Sequence, residues 1–537
     1  MLLPRLLISL VLAAVAGLGW WWPNRPQPLA QPHVGPIASL SFAPFRDGQS
    51  PLARIYPNRA EIEADMKLLV GKTKGLRTYT ALEGMEVVPP LARQYGFEIT
   101  HSAWIGAKLV ENDREVSALI AAANAYPDVI KRVIVGNEVL LRNEFREGFS
   151  EDRKRTIEAL IGYLKRVKAA VKQPVGYAEV WEFWLRYPEI APYVDVVVGH
   201  LLPYWEDDPH GVARAMPQIR HGYETLKARF PGKQVWIGEV GWPSAGRARA
   251  DAVPSRFNEA RFVTDFLALA REMGADYNVI EAFDQSWKSK LEGTVGGAWG
   301  LYTSDRQAKF DLAGPVVEVP EWPWLTAASI GLALGAALWH ARRRPAAAPG
   351  EVLLFGLAAQ GLAAAVVLGA FVAWLHGFTL ETQASGLAKT ALQAALAGFV
   401  LRAVALGDVQ PGGRGFDAAI VAIRRRPWPP AFWADAVYVV SVAYALVLAW
   451  ILATIPRYRD FPLADFLVLA LAVPLLGAGR GFGDSRKIDG AVVGLLLVAG
   501  AATIWREGAL NREAQFWAGM LALIALPRAL GLIRPRA

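Results

Sequence analysis

Two glutamates, each at the end of a short apolar run, are the residues of this chain best suited to chemistry. Glu138 closes the run Val133-Ile-Val-Gly-Asn-Glu, and Glu239 closes the run Val235-Trp-Ile-Gly-Glu. A carboxylate directly after a hydrophobic strand projects from the carboxyl end of the strand, because burying the charge in the core would be costly. In a parallel barrel that end carries the catalytic residues. Two carboxylates that face each other there would suit cleavage of a glycosidic bond.

The strands that must position these glutamates recur along residues 34–318. Strand-like runs alternate with amphipathic helical stretches, and the repeated alternation predicts an α/β fold, a (β/α)8 TIM barrel. An open doubly wound sheet is the alternative, but no Gly-rich phosphate loop follows the first strand. The predicted strands are 37–43, 75–80, 97–104, 133–136, 175–179, 194–200, 234–238 and 277–283.

In such a barrel Glu138 would end the fourth strand and Glu239 the seventh, so that they face each other across the mouth. A separation near 5 Å would indicate a retaining reaction with one nucleophile and one acid/base. The acid would need a raised pKa, which partial burial and a negative neighbour supply. Each glutamate could instead be a solvated residue at a strand end, but the matching positions of the two motifs favour catalysis.

Side chains next to the predicted strand ends are candidates for sugar binding. Aromatic rings stack on the C–H faces of sugars, and polar groups bind the hydroxyls. Core packing is the alternative for the aromatic residues, and structural ion pairing is the alternative for the charged ones. The candidates are Tyr79, Asn137, Tyr204, Trp205, Asp284, Trp287 and Lys288.

The composition narrows the remaining classes of function. The chain of 537 residues has no Cys, which excludes disulfides, a thiol nucleophile and Cys-ligated zinc. Its seven His residues form no HExxH motif or close pair, so we expect no metal and no cofactor. Much of the excess charge of +8 lies in short Arg clusters between apolar runs. This distribution indicates a membrane topology and no nucleic-acid partner.

From Trp322 onward the chain consists of apolar runs long enough to span a bilayer. We expect a transmembrane helical domain of about seven helices over 322–537, and a transmembrane anchor or signal peptide over 1–22. A Pro-rich linker, 23–33, would join the anchor to the catalytic domain, 34–318. Clusters such as Arg342–Arg344 and Arg424–Arg426 alternate with loops poorer in positive charge. The positive-inside rule then places the catalytic domain outside the inner membrane, in the periplasm.

Several segments resemble one family of carbohydrate-active enzymes. The run Trp-Ile-Gly-Glu-Val-Gly-Trp-Pro-Ser-Ala-Gly, at 236–246, resembles the nucleophile signature of glycoside hydrolase family 17, the β-1,3-glucanases and glucanosyltransferases. The run Val-Ile-Val-Gly-Asn-Glu-Val, at 133–139, resembles the acid/base segment of that family. Further segments resemble the family in the same order, namely 42–51, 76–79, 281–288 and 299–301.

The resemblance implies a retaining (β/α)8 barrel with Glu239 as the nucleophile and Glu138 as the acid/base. Val240 and Gln285 differ from the residues of many plant members, which argues against a plant-like hydrolytic specificity. The membrane helices resemble those of bacterial members, described as β-(1,6)-glucan synthase-like, that make or remodel periplasmic β-glucans.

We therefore expect an enzyme of the inner membrane that cleaves β-1,3-glucan and transfers the glycosyl unit to another glucan. Hydrolysis of β-1,3-glucan is the first alternative, and a non-catalytic glucan sensor or export component is the second. The expected partners are a β-glucan oligosaccharide or polysaccharide and the lipid bilayer. The helical domain could also dock a membrane glucan synthase.

Overall fold

The computed structural model describes residues 2–144, 153–406, 430–454, 459–477 and 486–533. The chain divides into two compact units. One unit is Gln27–Val316, and the other combines Met1–Pro26 with Val317–Ala537. The arginines 424–426, on which the predicted topology partly rests, lie outside the described residues.

Eight parallel strands close into a barrel in the first unit, with each strand paired to the next and β1 paired to β8. This confirms the predicted TIM-barrel fold. The strands are β1 (Ile37–Ser41), β2 (Thr73–Arg77), β3 (Glu98–Ala103), β4 (Ile130–Asn137), β5 (Val175–Val180), β6 (Val196–His200), β7 (Gln234–Val240) and β8 (Asp276–Val279).

Helices surround the barrel and follow the apolar periodicity of the sequence. In the first of them, the Asn58 side chain accepts hydrogen bonds from the N–H groups of Ala60 and Glu61, and the Glu61 carboxylate accepts one from the Asn58 N–H. Such a capping box satisfies amides that the helix leaves unpaired. The helices of this unit are α2 (Arg59–Leu69), α3 (Val88–Tyr95), α4 (Leu109–Ala125), α5 (Val139–Glu144), α6 (Arg153–Ala170), α7 (Trp181–Arg186), α8 (Val212–Arg229), α9 (Arg256–Met273) and α10 (Ser289–Glu292).

A small apolar cluster fills the inside of the barrel. It is formed by Ile134, Ala178, Val196, Val198 and Trp236, which come from four different strands. The Trp236 ring is almost completely buried. Burying a large apolar side chain stabilises the fold by roughly 1.5–3 kcal/mol. This packed layer therefore supports the polar residues that occupy the carboxyl ends of the strands.

The second unit consists of helices. They are α1 (Leu2–Asn24), α11 (Trp322–Arg343), α12 (Pro349–Leu375), α13 (Leu380–Leu406), α14 (Pro430–Thr454), α15 (Leu463–Gly477), α16 (Arg486–Glu507) and α17 (Arg512–Ile533). Among the described residues, five helical segments are long and apolar enough to cross a membrane: Leu3–Asn24, Trp322–Arg343, Pro349–Leu375, Leu380–Leu406 and Gly490–Glu507. Two shorter apolar segments are Val439–Thr454 and Leu463–Leu476.

Helix α1 has specific contacts with the helices of this unit. The Trp20 indole N–H donates to Ser329 Oγ at 3.2 Å. The Arg5 guanidinium donates to carbonyl oxygens around the end of α11, including that of Arg344 at 2.6 Å. The Asn24 side chain accepts a hydrogen bond from the Val319 N–H at 3.0 Å. Polar contacts are therefore present along the length of α1.

Candidate active site

Glu138 and Glu239 meet at the carboxyl end of the barrel. Glu138 directly follows β4, and Glu239 is the penultimate residue of β7. One side-chain atom from each of Glu138, Glu239 and His200 can be chosen so that all three lie within 4.8 Å of one another. The Glu138 side chain is 21% exposed and that of Glu239 is 6% exposed. Glu138 is thus the more accessible of two carboxylates that share one small site.

The backbone near each glutamate explains the glycines of the two motifs. Gly136 has φ +84°, and a Cβ there would lie 2.8 Å from Val139 Cγ2. Glu138 itself adopts a left-handed conformation with φ +50°, and its N–H is bonded to the Ala178 carbonyl at 2.8 Å. A Cβ on Gly238 would lie 2.4 Å from Val198 and 3.1 Å from the His200 ring. Gly238 therefore leaves the space that the imidazole needs beside Glu239.

Arg77, at the end of β2, forms hydrogen bonds with the segments of both glutamates. Its guanidinium donates to Glu239 Oε1 at 3.1 Å, to the Gly238 carbonyl at 2.7 Å and to Asn137 Oδ1 at 2.6 Å. The Arg77 side chain is fully buried. Its planar fork of donors can hold several acceptors at fixed angles, which a lysine cannot do.

His200, at the end of β6, lies between the two carboxylates. Its Nδ1 is 2.7 Å from Glu138 Oε1, and its Nε2 is 3.6 Å from Glu239 Oε1. The imidazole has no exposed side-chain surface. The two glutamates are therefore connected through a buried ring.

The environment sets the pKa of Glu138 in an unexpected direction. Burial raises the pKa, but the hydrogen bond and charge of His200, with Arg142 and Arg77, bring it below the ordinary value of a glutamate. The expectation of a raised pKa for the acid is therefore wrong for the free chain. Burial and the charge of Glu138 instead raise the pKa of Glu179 to about 7.

The Glu179 carboxylate, at the end of β5, supports the backbone that follows Glu138. It accepts hydrogen bonds from the Leu140 N–H at 3.0 Å, the Val180 N–H at 2.9 Å and the Tyr177 hydroxyl at 2.5 Å. Leu140 lies in the first turn of α5, which begins one residue after Glu138. Glu179 thus fixes the start of the short helix that carries the chain away from Glu138.

Glu138, His200 and Glu239 are close enough together for one atom of each to contact a cation. However, the Arg77 guanidinium lies 3.1 Å from Glu239 and 3.5 Å from His200 Nε2. A fixed positive charge at this distance opposes the binding of a second one. We therefore assign these residues no metal.

The structure places the predicted sugar-binding residues in different settings. Asn137 accepts from Arg77, and the Tyr79 hydroxyl is 2.8 Å from Ser41 Oγ. Burial, with the negative charge of Glu239, raises the pKa of Tyr79 well above its ordinary value. Both residues therefore belong to the hydrogen-bonded surroundings of Glu239.

The predicted aromatic residues differ in exposure. Tyr204 is fully buried and donates its hydroxyl hydrogen to the Arg247 carbonyl at 2.6 Å. Trp205 is partly exposed and stacks near Trp299, with ring centroids 6.3 Å apart. Trp287 is also partly exposed, and its indole N–H donates to Gln285 at 3.0 Å. Trp205 and Trp287 therefore retain surface that a sugar could contact, whereas Tyr204 packs in the core.

The two predicted charged residues both form ion pairs. Asp284 is 2.8 Å from the buried Lys309 ammonium group. Lys288 is 2.8 Å from Glu281, whose side chain is fully buried. Burial raises the pKa of Glu281 to about 7, although Lys288 counteracts this effect. Asp284 thus has a structural partner, and Lys288 lies close enough to Glu239 for the two charges to interact.

Sequence reasoning missed Arg77, His200, Glu179 and the exposed Trp104. Arg77 and His200 are the last residues of β2 and β6, and Glu179 is the penultimate residue of β5. A charged residue at the end of an apolar strand was therefore a signal that could have identified them. Trp104 directly follows β3, is 39% exposed and has the Arg142 guanidinium 4.1 Å from its ring centre.

The barrel domain is similar to known glycoside hydrolases. Residues 39–300 match the family described as the BtgE/BtgC glycoside hydrolase domain. The glucan 1,3-beta-glucosidase of Candida albicans is 27% identical over 268 residues, covering 47% of this chain and 85% of that protein. The protein of the same name from Saccharomyces cerevisiae is 24% identical over 270 residues, with the same coverage of 47% and 85%. The solved family 17 β-1,3-glucanosyltransferase of Rhizomucor miehei is 25% identical, with a TM-score of 0.43, covering 51% of this chain and 95% of that chain.

The parallel barrel, with two facing carboxylates at its carboxyl end, is that of an enzyme acting on glycosidic bonds, a glycosidase or transglycosidase. The match over residues 39–300, with the similarity to the glucan 1,3-beta-glucosidases, supports assigning the barrel domain to glycoside hydrolase family 17.

Proposed function

We propose that this chain is a membrane-anchored, retaining enzyme that cleaves β-1,3-glucan and transfers the released glycosyl unit to another glucan. The observation that carries the proposal is the approach of Glu138 and Glu239 within 4.8 Å. Retaining enzymes hold their two carboxyl groups roughly 5–5.5 Å apart, whereas inverting enzymes need roughly 6.5–9.5 Å to admit a water molecule. The short separation favours direct attack by one carboxylate.

Glu239 would be the nucleophile, because Arg77 holds it at 3.1 Å and it is the more buried of the two. The Glu239 oxygen attacks the anomeric carbon while Glu138 protonates the departing glycosidic oxygen. The resulting glycosyl ester on Glu239 is then attacked by an acceptor hydroxyl, whose proton returns to Glu138. If the acceptor is a glucan hydroxyl, the product is a longer glucan; if it is water, the result is hydrolysis.

The substrate class is proposed from the relatives. The matched proteins of Candida albicans and Saccharomyces cerevisiae are both named glucan 1,3-beta-glucosidases. These names also favour hydrolysis as the second candidate function. We place transfer first because an anchored enzyme in a biosynthetic setting gains more from remodelling glucan than from degrading it. A purely glucan-binding role would not require the close pair of carboxylates.

The helical unit would anchor the enzyme in the inner membrane with the barrel on the periplasmic side. Five helical segments suited to cross a membrane support this part of the proposal. The contacts of Trp20 and Arg5 with the other helices support α1 as a retained anchor. A membrane glucan synthase is the partner that such a unit could dock.

The activity is tested by incubating the full chain in detergent with β-1,3-glucan oligosaccharides of defined length. Products longer than the substrate establish transfer, whereas only shorter products establish hydrolysis. The variants Glu239→Gln and Glu138→Gln should lose product formation, and Glu98→Gln, at the exposed start of β3, serves as the matched control. Absence of products from the unmodified chain would support the binding role. An inverted anomer in the first product would refute retention.

The topology can be tested cleanly because the chain has no Cys. Gln307→Cys adds a thiol at an exposed position of the barrel unit, and Arg343→Cys adds one at the exposed end of α11. A membrane-impermeant maleimide added to cells with a permeabilised outer membrane should label only the first variant. Labelling of Arg343→Cys before the inner membrane is opened would contradict the proposed orientation.

A further inference from the structure

We propose that His200 is the proton store of the reaction: it holds the proton of the acid and passes it to Glu138 along their 2.7 Å contact. This inference rests on the proposed retaining reaction, in which Glu138 must carry a proton when the glycosidic bond breaks. It assigns the imidazole a chemical task in addition to its structural one.

The geometry favours proton exchange between these two groups. His200 has no exposed side-chain surface, so within the described surroundings its Nδ1 faces Glu138 and not solvent. Its Nε2 lies 3.6 Å from Glu239 Oε1. Arg77 is nearby but cannot exchange a proton, because a guanidinium stays protonated and has no acceptor. His200 is thus in contact with the proton donor of the reaction and close to its nucleophile.

Counting protons shows what the contact can do. When the imidazole is neutral and Glu138 is charged, Nδ1–H donates to the carboxylate and the acid has no proton to give. One additional proton produces an imidazolium beside the Glu138 carboxylate. Moving the Nδ1 proton across the 2.7 Å contact produces a neutral imidazole, protonated on Nε2, beside the Glu138 acid. These two arrangements carry the same charge, so they are tautomers of one protonation state.

The reaction then balances with a single mobile proton. In the first half, Glu138 gives its proton to the leaving oxygen while the bond from carbon to Glu239 forms. Formation of that ester removes the negative charge near Nε2 that had stabilised the imidazolium, which favours delivery of the proton. In the second half, the acceptor hydroxyl gives its proton to Glu138 while the ester bond breaks. The pair of Glu138 and His200 thereby regains its proton.

Charged groups on several neighbouring strands bear on this equilibrium. The negative groups favour the imidazolium and the positive groups oppose it. Burial raises the pKa of Glu138, but the hydrogen bond and charge of His200, with the charges of Arg142 and Arg77, bring it below its ordinary value. The groups are Glu239 on β7, Glu179 on β5, Arg77 on β2, Arg142 on α5 and Lys288 after β8.

The pH dependence of kcat/KM distinguishes a stored proton from simple electrostatic support. With His200, the acid form survives until the pair loses its last proton. With Gln at this position only a carboxyl group remains. Loss of the second proton-holding group then predicts that the alkaline limb of His200→Gln moves to lower pH. An upward shift would mean that Glu138 titrates alone and that His200 merely lowers its pKa, which overturns the proposal.

The leaving group offers a second readout. A dinitrophenyl glycoside needs little acid catalysis, so His200→Gln should slow cleavage of a natural oligosaccharide at least tenfold more than cleavage of that glycoside. His101→Gln is the matched control, since His101 is a buried strand residue that contacts Thr78 at 2.8 Å. Equal losses on both substrates, with an unmoved alkaline limb, would reduce His200 to a positioning residue.

The unmodified chain also tests the inference if His200→Gln does not fold. An alkaline limb of kcat/KM in the carboxyl range, below about pH 5, would overturn the stored proton directly, because it would exclude an imidazole from the titrating pair. The outcomes for Glu239→Gln and Glu138→Gln test the retaining reaction separately. Suppose that Glu239→Gln and Glu138→Gln lose activity while the alkaline limb of His200→Gln stays where it is in the unmodified chain. The proposed function would then stand, and only this inference would be removed.

Discussion

Replacing Arg77 should reveal how strongly one buried guanidinium couples the strands of the two candidate catalytic glutamates. Arg77 donates to Glu239, to the Gly238 carbonyl and to Asn137, at 3.1, 2.7 and 2.6 Å. A lysine keeps the charge but cannot reproduce this fork, so Arg77→Lys should lose at least one charged hydrogen bond. Such a bond contributes roughly 1.5–3 kcal/mol. If that contribution positions the transition state, kcat/KM should fall about 10- to 150-fold.

A neutral replacement of Arg77 should act chiefly on the stability of the fold. Arg77→Met leaves the Glu239 carboxylate without its buried guanidinium partner. Breaking a buried pair from one side typically costs about 3–5 kcal/mol. We therefore expect a clear drop in the thermal unfolding midpoint of the full chain for Arg77→Met and a smaller drop for Arg77→Lys. The measurements are kcat/KM on a β-1,3-glucan oligosaccharide and thermal unfolding in detergent.

Arg132 provides a matched control for these variants. It lies near the start of β4, over the same Trp236 ring, at 4.3 Å compared with 5.9 Å for Arg77. Its partner Asp276 is about half exposed, so the pair should contribute only about 0–1 kcal/mol. Arg132→Lys should therefore keep kcat/KM within about threefold. The reasoning is refuted if Arg77→Lys keeps more than half of the wild-type value, or if both lysine variants lose activity equally.

Three further changes test other parts of the site. Glu179→Gln should lower kcat about 10- to 100-fold with little change in KM, because the amide cannot accept all the hydrogen bonds that hold the turn after Glu138. Trp104→Ala should raise KM for long oligosaccharides about 2- to 10-fold while kcat stays the same, if its exposed ring stacks on a sugar. Glu281 titrates near pH 4.3 when unfolded and at about 7 when folded, so its stabilising contribution is complete below about pH 4.3 and is lost as the pH rises through 7. Glu281→Gln should therefore flatten the fall in thermal stability between pH 5 and 8, and an unchanged slope would contradict the raised pKa.

The barrel was predictable because its strands and helices are specified locally. Each strand is a short apolar run, and a helix such as α2 has its own capping residues at Asn58 and Glu61. The main differences lie at element ends: β4 begins at Ile130, three residues before the predicted run, and β8 ends at Val279, four residues earlier than predicted. Pairing with neighbouring strands, and not local pattern, determines where a strand ends.

The pair of glutamates was predictable for a related reason. An isolated carboxylate at the end of an apolar strand is conspicuous, and barrel geometry brings such ends together. The settings of Tyr204 and Asp284 were not predictable in the same way, because they depend on partners elsewhere in the chain. Tyr204 bonds to Arg247 and Asp284 pairs with Lys309, neither of which is marked by a local motif.

The residues that control the glutamates escaped prediction because their meaning depends on closure of the barrel. Arg77 and Glu239 are separated by 162 positions in the sequence, and His200 and Glu138 by 62. Seen alone, a buried arginine or histidine at a strand end is an unfavourable burial of a polar group. Once the strands close, the same residues neutralise and connect the carboxylates that the proposed reaction requires. In the proposed reaction the two glutamates would specify the class of reaction, and the buried Arg77 and His200 would govern where its charge and its proton reside.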